Sequence, residues 1–166
     1  MASWIRPAEY YCVTVPGELG TMQALLADLA GRGVKLLGFA AIPIGPNLKQ
    51  LTIFPEDPAL FVAEARAAKF PLEGPHHAIL VSGDSELDAL AGVHEQLFMA
   101  GIEIYATSGV SDAHDAFSYV IYVREDQFDG ACGALGCDTP ELRAANEWLD
   151  LHPVARVGRH ASGPGH

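Results

Sequence analysis

The chain is short of basic residues, of cysteine and of long apolar runs. Lys and Arg number 10 against 21 Asp and Glu, a formal charge of −11. Such a surface repels a phosphate backbone and an anionic bilayer alike, so the expectation is no nucleic-acid and no membrane partner. The three cysteines, Cys12, Cys132 and Cys137, are too few and too irregularly spaced for a disulfide framework. Cys132 and Cys137 stand five apart, a poor spacing for zinc, and read as small buried apolar residues. No run approaches membrane-spanning length, and Met-Ala-Ser-Trp-Ile-Arg-Pro at the start lacks the apolar stretch of a signal peptide. A cytoplasmic protein is expected. P-loop, GxSxG and HExxH motifs are also missing, which points to a protein that is not an enzyme and carries no cofactor.

What is present is apolar material: 49% of the 166 residues are hydrophobic, enough for a packed core. The charge is uneven. Residues 1–73 hold seven acids and six bases (−1), whereas residues 74–166 hold fourteen acids and four bases (−10) and all seven histidines.

The two parts also match each other at an offset of 68. Leu19 falls on Leu87, Leu29 on Leu97, Gly33 on Gly101, Val34 on Ile102, Ile53 on Ile121, Phe54 on Tyr122, Leu60 on Phe128 and Ala63 on Ala131. In the first part, Tyr10–Val15 reads as a strand and Pro16-Gly17-Glu18-Leu19-Gly20 as a turn. Thr21 is placed to N-cap a helix whose Met22, Leu25, Leu26 and Leu29 share one face, and Gly31 and Gly33 end it. Val34–Ile42 and Leu48–Phe54 read as strands. Asp57 and Pro58 open a second helix to about Lys69, and Phe70–Glu73 reads as a short fourth strand. The second part repeats the order with strand Ala78–Val81, turn Ser82–Ser85, helix Glu86–Ala100, strands Ile102–Val110 and Phe117–Val123, and a helix near Gln127–Leu135. The expected fold is α+β: a ferredoxin-like βαββαβ unit repeated twice, with antiparallel sheets and helices on one face. The units would span 1–73 and 74–138. Residues 139–166 would add a helix over Thr139–Leu151 and a flexible tail, with Val154–Val157 as either a displaced fourth strand or part of that tail.

Many functions share this fold, and the first turn of each part discriminates among them. An acylphosphatase needs an arginine there, and a heavy-metal-associated domain needs CxxC. Pro16–Gly20 and Ser82–Glu86 supply neither. The run Val15-Pro16-Gly17-Glu18-Leu19-Gly20, the leucine-rich helix and Gly31-Arg32-Gly33-Val34-Lys35-Leu36 together resemble the ACT domain. Ala100-Gly101-Ile102-Glu103-Ile104 and Ala106-Thr107-Ser108 extend the likeness, which covers about residues 10–135 and is similar to the regulatory ACT pair of aspartate kinases. Gly83-Asp84-Ser85 departs from the family's Pro-Gly turn.

The resemblance implies a stand-alone, allosteric regulatory sensor that binds a small amino acid and acts on a regulated enzyme partner, while exposed sheet edges and the apolar helix at 139–151 suggest a homodimer. A helix N-terminus approached through glycine suits a carboxylate, so Pro16, Gly17, Glu18, Leu19, Gly20 and Thr21 are the implied ligand-binding residues. Gly83 and Asp84 are given a supporting role, since acids at Asp84, Glu86 and Asp88 repel a carboxylate and suit an ammonium; Thr107 and Ser108 are candidate hydrogen-bonders. Two other classes stay open. One is a scaffolding or dimerisation module without a ligand. The other is a metal-responsive protein using His76-His77, His94-Glu95 and Asp112-x-His114-Asp115.

Overall fold

The computed structural model of the chain describes residues 2–84, 86–111 and 116–137. Its elements are β1 (Ala2–Pro16), α1 (Thr21–Gly31), β2 (Leu36–Gly45), β3 (Leu48–Pro55), α2 (Pro58–Ala67), β4 (Glu73–Gly83), α3 (Glu86–Met99), β5 (Ile104–Ser111), β6 (Phe117–Val123) and α4 (Phe128–Leu135), the last preceded by a 3-10 turn at Glu125–Gln127. The strands form one antiparallel sheet in the order β2-β3-β1-β4-β6-β5. The fold is α+β and ferredoxin-like, with the helices on one face of the sheet. The helix expected at Thr139–Leu151, the strand or tail at Val154–Val157, and Asp112, His114 and Asp115 lie outside the described residues.

Period-two burial explains the sheet. On β1, Tyr11, Val13 and Val15 point into one core with Leu25 and Leu29 of α1, Leu51 and Ile53 of β3, and Phe61 and Ala65 of α2. A second core joins Ile79 and Val81 of β4 to Phe117, Ile121 and Val123 of β6 and to Val93 and Leu97 of α3 and Ala131 and Leu135 of α4; Ile5 of β1 packs against it. Ile5 and Tyr11 share strand parity, so both cores lie on the same side of β1. The reverse face holds a smaller cluster of Phe54, Ala78 and Leu80 with Tyr10 and Tyr122 packed on it.

The long first strand differs from the expected Tyr10–Val15. Its C-terminal part, Tyr11–Pro16, pairs with β3, and its N-terminal part, from Ala2 to Cys12, pairs with β4. Arg6-Pro7 hides this strand in the sequence. Proline is tolerated because Trp4–Tyr10 is paired on the β4 side alone. Beside β4, opposite β6, the position of a fourth strand for the second part is thus filled by the start of the chain. The expected strand at Phe70–Glu73 is also corrected: residues 70–72 belong to no strand, and β4 begins at Glu73 and runs to Gly83. The offset of 68 pairs buried Leu25 with Val93, Leu29 with Leu97 and Ile53 with Ile121. It slips in the last helices, where buried Phe61 and Ala65 correspond to Ala131 and Leu135, which lie 131 − 61 = 70 residues on.

All four helices among the described residues end alike. The residue after the last turn is left-handed (Gly33, φ 78; Lys69, φ 59; Gly101, φ 70; Gly136, φ 61). The next N–H donates back across the turn: Val34 to Leu29 O, Phe70 to Ala65 O, Ile102 to Leu97 O and Cys137 to Cys132 O, at 2.9–3.1 Å. This closure satisfies carbonyls that a bare helix end leaves open. It also explains the five-residue Cys132–Cys137 spacing, the buried Cys137 being the residue that folds back over the end of α4. Lys69 alone among the four closing residues bears a Cβ in this conformation, which costs about 1–2 kcal/mol. Lys69→Gly is expected to stabilise the protein by about 0.5–1 kcal/mol, once the added freedom of the unfolded chain is counted. Urea unfolding measures this, and a lower midpoint contradicts it.

Candidate functional site

The turn after β1 has the features the sequence suggested, with one correction. Pro16 is the last ladder residue, opposite Leu48. The Gly17 N–H donates to Asn47 O at 2.7 Å, tying the turn to the β2–β3 connection. A Cβ on Gly17 would lie 3.2 Å from Asn47 C and 3.3 Å from Asn47 O, so a larger residue must push that backbone away. Gly20, not Thr21, is the N-cap of α1; it is left-handed (φ 88, ψ −17) and provides no side-chain cap. Thr21 is the first helical residue, and its N–H reaches Glu18 O at 3.4 Å. The Ala24 N–H donates to Gly20 O at 2.9 Å, and no acid occupies the first turn of α1. This helix start therefore keeps its positive end uncompensated by any side chain. Glu18, Leu19 and Gly20 are exposed, Leu19 completely.

The remaining candidates lie elsewhere. Gly83 is buried at the other end of the sheet, opposite Ala2 and Phe117, with Asp84 exposed beside it. Ala2 and Pro16 bound the same strand, so the two turns are separated by its length, about 45 Å at 3.3 Å per residue. Within one chain the acidic turn gives the first turn no support. Thr107 and Ser108 stand on edge strand β5, and the Thr107 hydroxyl donates to Val120 O at 3.0 Å. The histidines do not gather. His76 lies 5.2 Å from the Tyr10 ring on the helix-free face. His77, the next residue along β4, meets Glu125 and stacks 5.0 Å from Phe128. Strand alternation sends the two to opposite faces, so they cannot chelate one ion. Among the described residues no three His, Cys, Asp or Glu come together as a metal site.

Two features go beyond the sequence reading. The first is that the exposed edges it expected are β2 and β5, both uncharged. β2 reads Leu-Leu-Gly-Phe-Ala-Ala-Ile-Pro-Ile-Gly with Ile42 51% and Ile44 48% exposed, and β5 reads Ile-Tyr-Ala-Thr-Ser-Gly-Val-Ser with Tyr105 and Val110 exposed. Such edges are templates for further strand pairing. The signal was visible in composition but needed the strand order to show which strands are outermost. The second is an aromatic cluster on the helix-free face. Tyr10 lies 5.1 Å from Phe54 and edge-on to Tyr122 at 5.5 Å, and Tyr105 lies 6.2 Å from Tyr122.

Among solved structures, the fold is similar to that of a protein from Bacteroides thetaiotaomicron, with a TM-score of 0.68 and 16% identity over 80% of this chain and 88% of that one. It is also similar to the ligand-free regulatory subunit of aspartate kinase from Thermus thermophilus, with a TM-score of 0.53 and 15% identity over 82% of this chain and 97% of that one. No protein-family model and no curated protein matches the chain. At these identities the likeness speaks to the fold, which it supports as ACT-like.

Burial in the cluster raises the phenols of Tyr10 and Tyr122, and burial with the Glu9 contact pushes Tyr11 up to about 12. A phenol raised by folding favours the neutral form in the native state. Its stabilisation is complete below the unfolded value of about 10 and is lost as pH rises through the folded values. Stability is therefore expected to fall above about pH 10, with tyrosinate absorbance appearing late. Spectrophotometric titration beside urea unfolding checks this, and ordinary titration of all five tyrosines contradicts it.

Proposed function

We propose that this chain is a non-catalytic regulatory protein made of two ACT-like units, 1–73 and 74–138. In this reading it binds a small amino acid and passes the binding signal to a regulated enzyme as an allosteric homodimer. The observation that carries the reading is the first turn: an uncapped, acid-free helix start, approached through Gly17 and Gly20, next to the β2–β3 connection of an uncharged edge strand. The carboxylate of the ligand takes the first free N–H groups of α1. A second copy pairing along β2 encloses the ligand and covers Ile42 and Ile44. Ligand and partner then share a surface, so binding of one shifts the other by the same free energy. The likeness to a regulatory subunit of aspartate kinase fits this role at the level of fold.

A ligand-free dimerisation module is the second reading, favoured by the bare edges of β2 and β5 alone. Thermal unfolding with each of the twenty amino acids separates the two. Binding at about 100-fold above Kd adds about 2.7 kcal/mol. One amino acid is expected to raise Tm and move the amide resonances of Gly20–Gln23, and Gly17→Val is expected to abolish both effects. Light scattering is expected to give about twice the 17.7 kDa chain mass, returning to one chain in Ile42→Lys. Silence to all twenty leaves the scaffolding reading, and a monomer at every concentration ends both.

A further inference from the structure

The closure at the end of α4 is built from two thiols. At each of the four helix ends described above, an N–H returns to the carbonyl five residues earlier, and such a closure commonly brings the two bonded residues' side chains together. In three helices this pair is apolar: Leu29 with Val34, Ala65 with Phe70, and Leu97 with Ile102. In each of these the helical member lies inside a core and the returning member packs against it. In α4 the pair is Cys132 with Cys137, and the order is reversed. Cys137, the returning residue, is buried in the second core, and helical Cys132 packs against it half-buried.

The backbone already sets the two residues at bonding range. The Cys137 N–H donates to Cys132 O at 3.0 Å. A path through that hydrogen bond keeps the two α-carbons within about 7 Å, and a disulfide joins α-carbons about 4.4–6.8 Å apart. Gly136, left-handed at φ 61, supplies the reversal that turns Cys137 back onto the last turn of α4. The Cys137 thiol donates to the Cys132 sulfur. That contact holds the Cys132 thiol below its ordinary value, against burial and the Asp129 carboxylate, and together with burial it pushes the Cys137 thiol up. The more exposed sulfur is therefore the one that ionises first, as an attacking thiol should. Cys12 has no part in this pair. It alternates with Tyr11 and Val13 along β1 and so faces the helix-free side of the sheet, away from α4.

We propose that Cys132 and Cys137 are a reversible dithiol–disulfide pair, oxidised by exchange with a small disulfide such as oxidised glutathione. The Cys132 thiolate attacks one sulfur of the small disulfide, whose S–S bond breaks and releases a thiolate. The Cys137 thiolate then attacks the Cys132 sulfur of this mixed disulfide and releases the second small thiolate. Each departing thiolate takes up one of the two protons that the cysteines gave away. Two protein thiols are oxidised, and one small disulfide is reduced to two thiols. The new bond replaces a side-chain contact that is already made, so it leaves the fold in place. What it changes is the end of α4: a closure held by hydrogen bonds becomes covalent, and Cys137 can no longer leave the second core while Cys132 stays in the helix.

The test incubates the full chain in mixtures of reduced and oxidised glutathione, quenches with acid, alkylates the remaining thiols and reads intact and peptide masses. With rising oxidised glutathione, the peptide carrying residues 132 and 137 is expected to lose two hydrogens in one transition and to retain no glutathione, while Cys12 stays alkylated. Folding holds the sulfurs together, so the equilibrium constant for forming the bond is expected to be about tenfold or more larger in the native chain than in urea. Cys137→Ala is expected to stop at one glutathione on Cys132, and Cys132→Ala to leave Cys137 unmodified. Hydrogen exchange at the Cys137 amide is expected to slow about tenfold in the oxidised chain, since opening of the closure is restrained. A native pair that stays alkylated until urea unfolds the chain overturns the proposal. So does a stable glutathione adduct on Cys132 of the unmodified protein, a bond between two chains, or an equilibrium constant equal in the native and urea-unfolded states. These readings come from the unmodified protein, so they hold even where a variant does not fold.

Discussion

One strand holds two cores in a single sheet. β1 gives its C-terminal half to β3 and its N-terminal half to β4, so neither core can be completed without it. Because side chains alternate strictly, Ile5 and Tyr11 must face the same way, and both helix pairs are driven to one side. The handover between partners leaves the first half of β1 paired on one edge only. That unpaired stretch, and not a loop, opens a cleft lined by Arg6.

Local physics made much of this readable in the chain. β6 is a run of seven β-branched, aromatic and small residues, and its bounds agree with the reading at both ends. α2 begins where Asp57 caps it, with its carboxylate accepting the Leu60 N–H at 3.0 Å and Pro58 at the first helical position. The helix ends announced themselves through Gly33 and Gly101, because glycine is the residue that reverses handedness at least cost. At Lys69 that signal is absent, yet the same closure forms. Packing of Phe70 beside the first core imposes what the residue type does not favour.

What the sequence concealed depends on distant partners. Trp4-Ile5-Arg6-Pro7 does not look like a strand, and becomes one only because β4 supplies the ladder. Thr21 looked like a cap because its hydroxyl suits the task, but Gly20 adopts the left-handed geometry that ends the turn first. The candidate site was legible as a turn and not as an arrangement. Its members Gly17, Gly20 and Thr21 do come together, whereas Gly83 and Asp84 belong to the far end of the sheet. Arg6 carried no motif, and its place over the Trp4 ring is a property of the packed chain.

The two bare edges differ in sequence, and this sets how copies of the chain can add to one another. β2 laid against β2 of another copy is self-complementary: it consumes the same edge on both and stops at two. β2 laid against β5 consumes unlike edges and leaves one of each exposed, so every arrival recreates the surface that recruited it. The first arrangement is a closed particle and the second a growing fibre. Neither edge carries a charge to choose between them, and Pro43 withholds one N–H from β2.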